Sequence, residues 1–216
     1  MTTFPTSNQE TLLREHLGTK VYMGSHPALR PYLRHALRPQ EFGDRVWPAA
    51  LCAMAHVAVE PSDRVLEIGC GWGIVGIHVA RTFGARVTCT DADPRLRPFV
   101  EAHAALNGVS VPFEVRSFGE LADRPLDADV IVGSDICYSE EVVGELARLV
   151  DAAARGRVRR VVIADAARPD FGSLVQHCQA RYDCALSTYE GERASTRVSL
   201  LEISLPAAAG PPATAR

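Results

Sequence analysis

The sequence predicts an α/β fold: a mostly parallel sheet of seven strands, helices on both faces, and an antiparallel strand at its C-terminal end. Three observations carry this. Short apolar segments alternate with helix-compatible ones through the centre of the chain, which implies parallel strands buried on both faces. A glycine-rich turn, Gly69-Cys-Gly-Trp-Gly73, joins the first such strand to the following helix. Four strand ends carry polar residues, where open sheets of this kind bind ligands: Glu67–Gly73, Asp91, Ser134-Asp135 and Asp165.

The elements follow in order. Residues 1–8 are polar and read as loose. Segments 9–17 and 28–38 are helix-compatible and separated by Gly24 and Pro27, so residues 1–43 are expected to form a helical extension. Asp44–Val59 reads as a helix, with apolar Val46, Leu51, Met54, Ala55 and Val57. Pro48 stands near its start, where a missing N–H costs little. Arg64–Ile68 is an apolar strand, Ile74–Phe83 a helix, and Arg86–Thr90 a strand ending at Asp91. Leu96–Leu106 is a helix stopped by Asn107-Gly108, and Val111–Val115 a strand. Asp129–Gly133 is a strand, apolar from Val130 onward as a central strand should be, and ends at Ser134-Asp135. Glu140–Ala154 is a helix, Val158–Ala164 a strand and Leu174–Ala180 a helix. Ala185–Tyr189 and Arg197–Leu205 have no helix between them, so they form an antiparallel hairpin on one edge. Residues 44–205 thus make one domain, and 206–216, rich in Ala and Pro, a disordered tail.

Composition narrows the function. The 216 residues carry a net charge of −3 with pI near 6.2, so no global basic field draws the chain to nucleic acid. Arg155, Arg157, Arg159 and Arg160 read as a solvated turn before a strand. No stretch approaches the ~18 apolar residues of a membrane span, and the first residues lack the pattern of a secretory signal. Six dispersed cysteines without a C-x-x-C pair read as buried free thiols in a reducing cytoplasm; a monomer is expected. The seven histidines show no metal-ligand spacing, so no metal is expected; His56 and His78 read as core or surface residues.

Gly69, Gly71 and Gly73 permit a tight turn and close backbone approach to a ligand. Asp91, at the end of the next strand, can accept both hydroxyls of a ribose. Two cofactors fit, beside a purely structural turn. Gly71-x-Gly73-x-x-Gly76 with Asp91 matches the dinucleotide pattern. Glu67, two residues before Gly69, would repel a pyrophosphate and suit the amino group of S-adenosyl-L-methionine instead.

Val65-Leu-Glu-Ile-Gly-Cys-Gly-Trp-Gly73 with Asp91 resembles the first motifs of the class I, seven-β-strand methyltransferases, which have a Rossmann-like fold. Val46-Trp47-Pro48-Ala49-Ala50 and Asp135-Ile136-Cys137-Tyr138 are similar to segments of its DxxY group. Ile163-Ala-Asp-Ala-Ala-Arg-Pro-Asp-Phe171 resembles the branch that methylates lysines of the electron-transfer flavoprotein β subunit. The resemblance spans roughly residues 44–205. It implies S-adenosyl-L-methionine as cofactor and a protein side chain as acceptor, most often lysine and in some members histidine.

By position it places Glu67, Gly69, Cys70, Gly71 and Gly73 around the methionine part, and Asp91 with Ala92 at the ribose. Trp47 and Ser134 join the pocket wall, and Phe118 packs on adenine with Ser117 beside its amino group. Asp135 orients the acceptor amine and Tyr138 flanks it; these two are the catalytic candidates. The plainer roles are a helix cap for Asp135, packing for Tyr138 and Trp47, and an Asp165–Arg168 pair that fixes a loop. Cys137 lacks a local base and is not read as a nucleophile. A small-molecule methyltransferase and a non-catalytic binding module are the alternatives.

Overall fold

The computed structural model describes residues 12–24, 26–33, 46–190 and 197–206. In chain order the elements are β1 (Leu13–His16), β2 (Thr19–Tyr22), α1 (Pro48–His56), β3 (Arg64–Ile68), α2 (Ile74–Phe83), β4 (Arg86–Asp91), α3 (Arg97–Leu106) and β5 (Phe113–Val115). They continue with α4 (Phe118–Ala122), β6 (Val130–Ser134), α5 (Glu140–Ala154), β7 (Arg160–Asp165), α6 (Pro169–Gln179), β8 (Asp183–Glu190) and β9 (Arg197–Ser204).

Seven strands form one sheet in the order β5-β4-β3-β6-β7-β9-β8. β5 to β7 are parallel, and β9 runs antiparallel between β7 and β8. Side chains alternate along each strand. Val130 and Val132 join the layer containing α1, α2 and α3, while Ile131 joins the layer containing α5 and α6. The chain moves outward from β3 in one direction and from β6 in the other, so the crevice between them lies at the carboxyl ends of both strands.

The opposite sheet edge is closed by charge. Arg157 reaches Asp129 at 2.6 Å, Arg159 reaches Asp63 at 2.6 Å, and Arg64 pairs with Asp127. The Arg160 guanidinium donates to the Ala58 carbonyl. Three members of the basic run are therefore tied to acidic or carbonyl partners.

The N-terminal region departs from the helical expectation. Its described part holds the antiparallel hairpin β1–β2 instead of a helix over 9–17. Leu17 and Gly18 both adopt positive φ, 49° and 78°, which reverses the chain in two residues. Partners on α2 and α3 hold the second strand. Thr19 Oγ1 lies 3.0 Å from His78 Nδ1. Asn107 accepts the Lys20 N–H and donates to the Lys20 carbonyl, both at 2.8 Å. His103 Nε2 accepts the Tyr22 N–H at 3.2 Å. These non-local bonds override a local helical pattern.

Residues 27–33 turn without forming a regular helix, and 34–38 lie outside the described residues. The helix expected over Asp44–Val59 starts at Pro48, and Val57 is already extended; residues 44 and 45 lie outside the description. α6 starts at Pro169 rather than Leu174, and the short α4 is an element beyond those the sequence pattern predicts. The loose start, residues 1–8, and the tail from 207 onward also lie outside the described residues.

Candidate functional site

A cavity of about 500 Å³ opens over the carboxyl ends of β3, β4 and β6. Its wall contains Trp47, Glu67, Gly69, Cys70, Gly71, Asp91, Ala92, Ser117, Phe118, Ser134, Asp135 and Tyr138. Every candidate except Gly73 therefore lines one space.

The β3–α2 turn forms the floor. Gly69 has φ 58°, and a Cβ there would stand 2.7 Å from Ile136 Cγ2 and 3.0 Å from the Phe118 ring. Gly71 also has positive φ, 53°, yet a Cβ there would meet no protein atom within 4 Å. Its backbone thus faces open space. Gly73 stands outside the cavity lining. It caps α2, and a Cβ there would press on Val100 at 3.1 Å and the Cys89 sulfur at 3.3 Å. It is needed for helix–sheet packing.

Glu67 is turned beneath the turn. Its Oε2 accepts the Gly76 N–H at 2.8 Å and the Cys89 thiol at 3.0 Å, and the Val75 N–H adds a further bond. The carboxylate therefore occupies the α2 N-terminus, the position that receives a pyrophosphate in dinucleotide sites. Burial pushes its pKa up to about 7 despite these donors.

Asp91 ends β4. Its Oδ2 accepts the Gly71 N–H at 3.0 Å and its Oδ1 the Asp93 N–H at 3.1 Å. A carboxylate has roughly four acceptor positions, so capacity for further donors remains. Burial raises its pKa from the ordinary range.

Ser117 has one of its hydroxyl lone pairs in use. Its hydroxyl takes the Glu120 N–H at 3.2 Å, while Glu120 takes the Ser117 N–H at 2.8 Å. This reciprocal cap starts α4 and aims Phe118 into the cavity wall. Glu145, on α5, lines the cavity beside it and accepts the Gly119 N–H at 3.2 Å.

Trp72, inside the glycine turn, stacks near-parallel with Phe99 and with His103, ring centroids 5.8 and 5.1 Å away. Burial holds His103 down to about 4, so it is neutral: Nδ1–H donates to the Phe99 carbonyl at 2.7 Å. The same ring holds Tyr22, which links the N-terminal hairpin to the glycine turn.

Asp135 follows β6 with φ 61°, and its N–H donates to the Ala164 carbonyl at 2.8 Å. It does not cap α5; the Ser139 hydroxyl does, accepting the Val142 N–H at 3.3 Å. The Arg168 guanidinium donates to Asp135 Oδ1 and, at 3.0 Å, to Asp165 Oδ2. The expected Asp165–Arg168 pair is present, and it extends to Asp135, a contact that no local pattern signals. Asp165 also accepts the Cys137 N–H at 3.1 Å, which shapes the loop carrying Tyr138. Tyr138 is 37% exposed at the cavity rim. Burial drives the Cys137 thiol well above its ordinary value, consistent with an inert sulfur.

His78 is buried against Thr19, and His56 stacks on Tyr189 at 3.9 Å. All six cysteines are free. Among the described residues, no three His, Cys, Asp or Glu side chains converge as a metal site, and no helix is long and apolar enough to cross a membrane.

The sheet order, the glycine turn and the strand-end carboxylates define a class I methyltransferase fold. Among solved structures, the tRNA (uracil-54, C5)-methyltransferase of Pyrococcus abyssi is similar, with a TM-score of 0.60 and 16% identity over 89% of this chain and 44% of that one. The family model described as lysine methyltransferase matches residues 34–172, and the chain belongs to that family.

The electron transfer flavoprotein beta subunit lysine methyltransferase of Rattus norvegicus is 26% identical over 136 residues, 61% of this chain and 53% of the relative. The protein N-lysine methyltransferase METTL21A of Danio rerio is 34% identical over 117 residues, 49% of this chain and 53% of the relative. A ubiquinone biosynthesis O-methyltransferase of Xanthomonas campestris is 34% identical over 85 residues, 39% of this chain and 35% of the relative. The chain spans about half the length of the two lysine methyltransferases, 53% of each.

Proposed function

We propose that this chain binds S-adenosyl-L-methionine and transfers its methyl group to a lysine side chain of a protein. One observation carries the reading: the glycine turn with Asp91 and the Asp135–Tyr138 loop line the same cavity. The residues fit this cofactor. Asp91 retains acceptor capacity for ribose hydroxyls, and Phe118 offers a ring for adenine. Cys70, Gly71, Ala92 and Ser134 supply the remaining floor, with Trp47 at the wall. Glu67 fills the helix terminus that a pyrophosphate would need, which speaks against a dinucleotide.

The bound sulfonium supplies an activated methyl group; the chain's task is to present the acceptor. A lysine amine has a solution pKa near 10.4 and must react uncharged. A desolvated pocket favours the neutral amine. The Asp135 carboxylate accepts an amine N–H and directs the lone pair toward the methyl group. Tyr138 flanks the side chain at the rim. Orientation of this kind contributes up to ~7–11 kcal/mol. The two lysine methyltransferase relatives support a protein acceptor, and the electron-transfer flavoprotein β subunit is the first one to try.

The test is labelled S-adenosyl-L-methionine incubated with the protein and either that β subunit or a bacterial lysate. Label in protein, mapped to lysine by mass spectrometry, is the expected result. Label confined to small molecules would favour a metabolite acceptor, the reading that the O-methyltransferase similarity supports. Calorimetry should give one cofactor per chain and no NADH binding; the reverse would overturn the proposal.

A further inference from the structure

We propose that Arg168 is a positioning residue for the acceptor half of the site, holding Asp135 ionised and fixed at the cavity wall. This rests on the reading of Asp135 as the group that meets the acceptor amine.

The geometry is that of a fork across two strand ends. Arg168 stands just before α6. One guanidinium nitrogen donates to Asp135 Oδ1 at the end of β6; the other spans Asp165 Oδ1 and Oδ2, at 3.3 and 3.0 Å, at the end of β7. The Asp135 and Asp165 side chains are 5% and 0% exposed, the Arg168 side chain 31%. A residue needed only to start α6 would be satisfied by Asp165. The second arm goes to the residue on the cavity wall.

The backbone carries strain on both sides of the fork. Asp135 and Ala167 are non-glycine residues in the left-handed region, φ 61° and 58°. Such conformations persist only where surrounding contacts enforce them, and they cluster at functional sites. Releasing the guanidinium removes the tie between these two loops. The Asp135 side chain would then be free to rotate, with the loop held by the backbone N–H bonds of Asp135 to Ala164 and of Cys137 to Asp165.

The charge follows the same logic. Two carboxylates and one guanidinium leave one net negative charge, which matches one incoming ammonium before it loses its proton. Cys137 and, through its field on that thiol, Asp170 are further titratable groups beside the cluster. Burial raises both carboxyl groups, Asp165 to about 6, and Arg168 opposes the rise in each. Without Arg168 two buried carboxylates would face each other with no cation between them, and such a pair retains a proton.

The test compares full-length wild type, Arg168→Gln, Arg168→Lys and Asp135→Asn. Carboxyl carbon NMR follows the midpoints of Asp135 and Asp165. Initial rates of label transfer into bacterial-lysate protein are taken against pH, and S-adenosyl-L-homocysteine affinity is measured by calorimetry. Arg168→Gln should raise the Asp135 midpoint by about one to three pH units and move the acidic limb of transfer up by as much. Its rate at pH 7 should fall about tenfold or more, with analogue affinity unchanged. Arg168→Lys keeps the charge but cannot fork, so its acidic limb should stay near wild type while its rate remains low.

Unmoved midpoints and limb in Arg168→Gln, with lowered stability alone, would make Arg168 a tie for α6 and overturn the proposal. If Arg168→Gln does not fold, Arg168→Lys decides: a wild-type rate at every pH overturns it. Undiminished transfer by Asp135→Asn would instead overturn the acceptor reading of Asp135, whatever Arg168→Gln does to the midpoints.

Discussion

Glu67→Gln gives the buried carboxylate under the glycine turn a measurable signature. Burial raises Glu67 from 4.5 to about 7, against the opposing donors of Cys89, Gly76 and Val75. In the unfolded chain a glutamate ionises near 4.3. Below that pH both states hold the proton, and Glu67 adds no pH dependence. As pH rises further, the unfolded state ionises first, so stability is lost until the folded midpoint near 7 and is constant above it. About 2.5 pH units at 1.36 kcal/mol each amount to ~3 kcal/mol lost between roughly pH 4.5 and 8.

Glutamine keeps an oxygen for the Gly76 N–H and cannot ionise, so the variant lacks this slope. The same oxygen accepts the Cys89 thiol, which is held well above 9.0 and stays protonated, so that contact adds no pH dependence of its own. For a domain of this size 1 kcal/mol moves Tm by about 2–4 °C. The Tm of the variant minus that of the wild type should therefore grow by roughly 6–12 °C from pH 4.5 to 8. Scanning calorimetry in half-unit pH steps measures it. Parallel curves would refute the buried carboxylate, and with it the claim that Glu67 blocks the α2 terminus to phosphate.

Asp91→Ala should weaken S-adenosyl-L-homocysteine binding by about ten- to a hundredfold, since hydrogen bonds to a charged group are worth roughly 1.5–3 kcal/mol. Calorimetry on the folded variant decides, and an unchanged Kd would leave Asp91 only its bonds to Gly71 and Asp93. Asp135→Asn should lower methyl transfer by about ten- to a thousandfold and leave cofactor affinity nearly intact; equal loss of both would make Asp135 a support of the cofactor turn. Asn107→Ala removes two bonds from the Lys20 backbone, so hydrogen exchange at Thr19–Tyr22 should quicken by roughly ten- to a hundredfold. Unaltered exchange there would mean that His78 and His103 hold the hairpin without it.

Asp91 and Asp135 are legible in the chain because each is a polar residue closing an apolar strand, and parallel strands bring such ends to one edge. Where those side chains turn is not legible, because non-local partners decide it. Arg168 lies three residues from Asp165, so their pairing can be read; Asp135 lies 33 residues from Arg168, and only the adjacency of β6 and β7 joins them. The hairpin shows the same limit: its second strand is held by His78, His103 and Asn107, 59 to 87 residues away. Ser117 is the opposite case. Its partner Glu120 stands three residues on, a spacing that announces a helix start, so its capping role is legible locally. Glu67 joins both cases. Its charge two residues before Gly69 already argues against phosphate by repulsion. Its bonds to Val75 and Gly76 make the argument stronger, because the donors a phosphate would use are occupied. The position of the acid is local information; the reason it excludes a dinucleotide belongs to the folded turn.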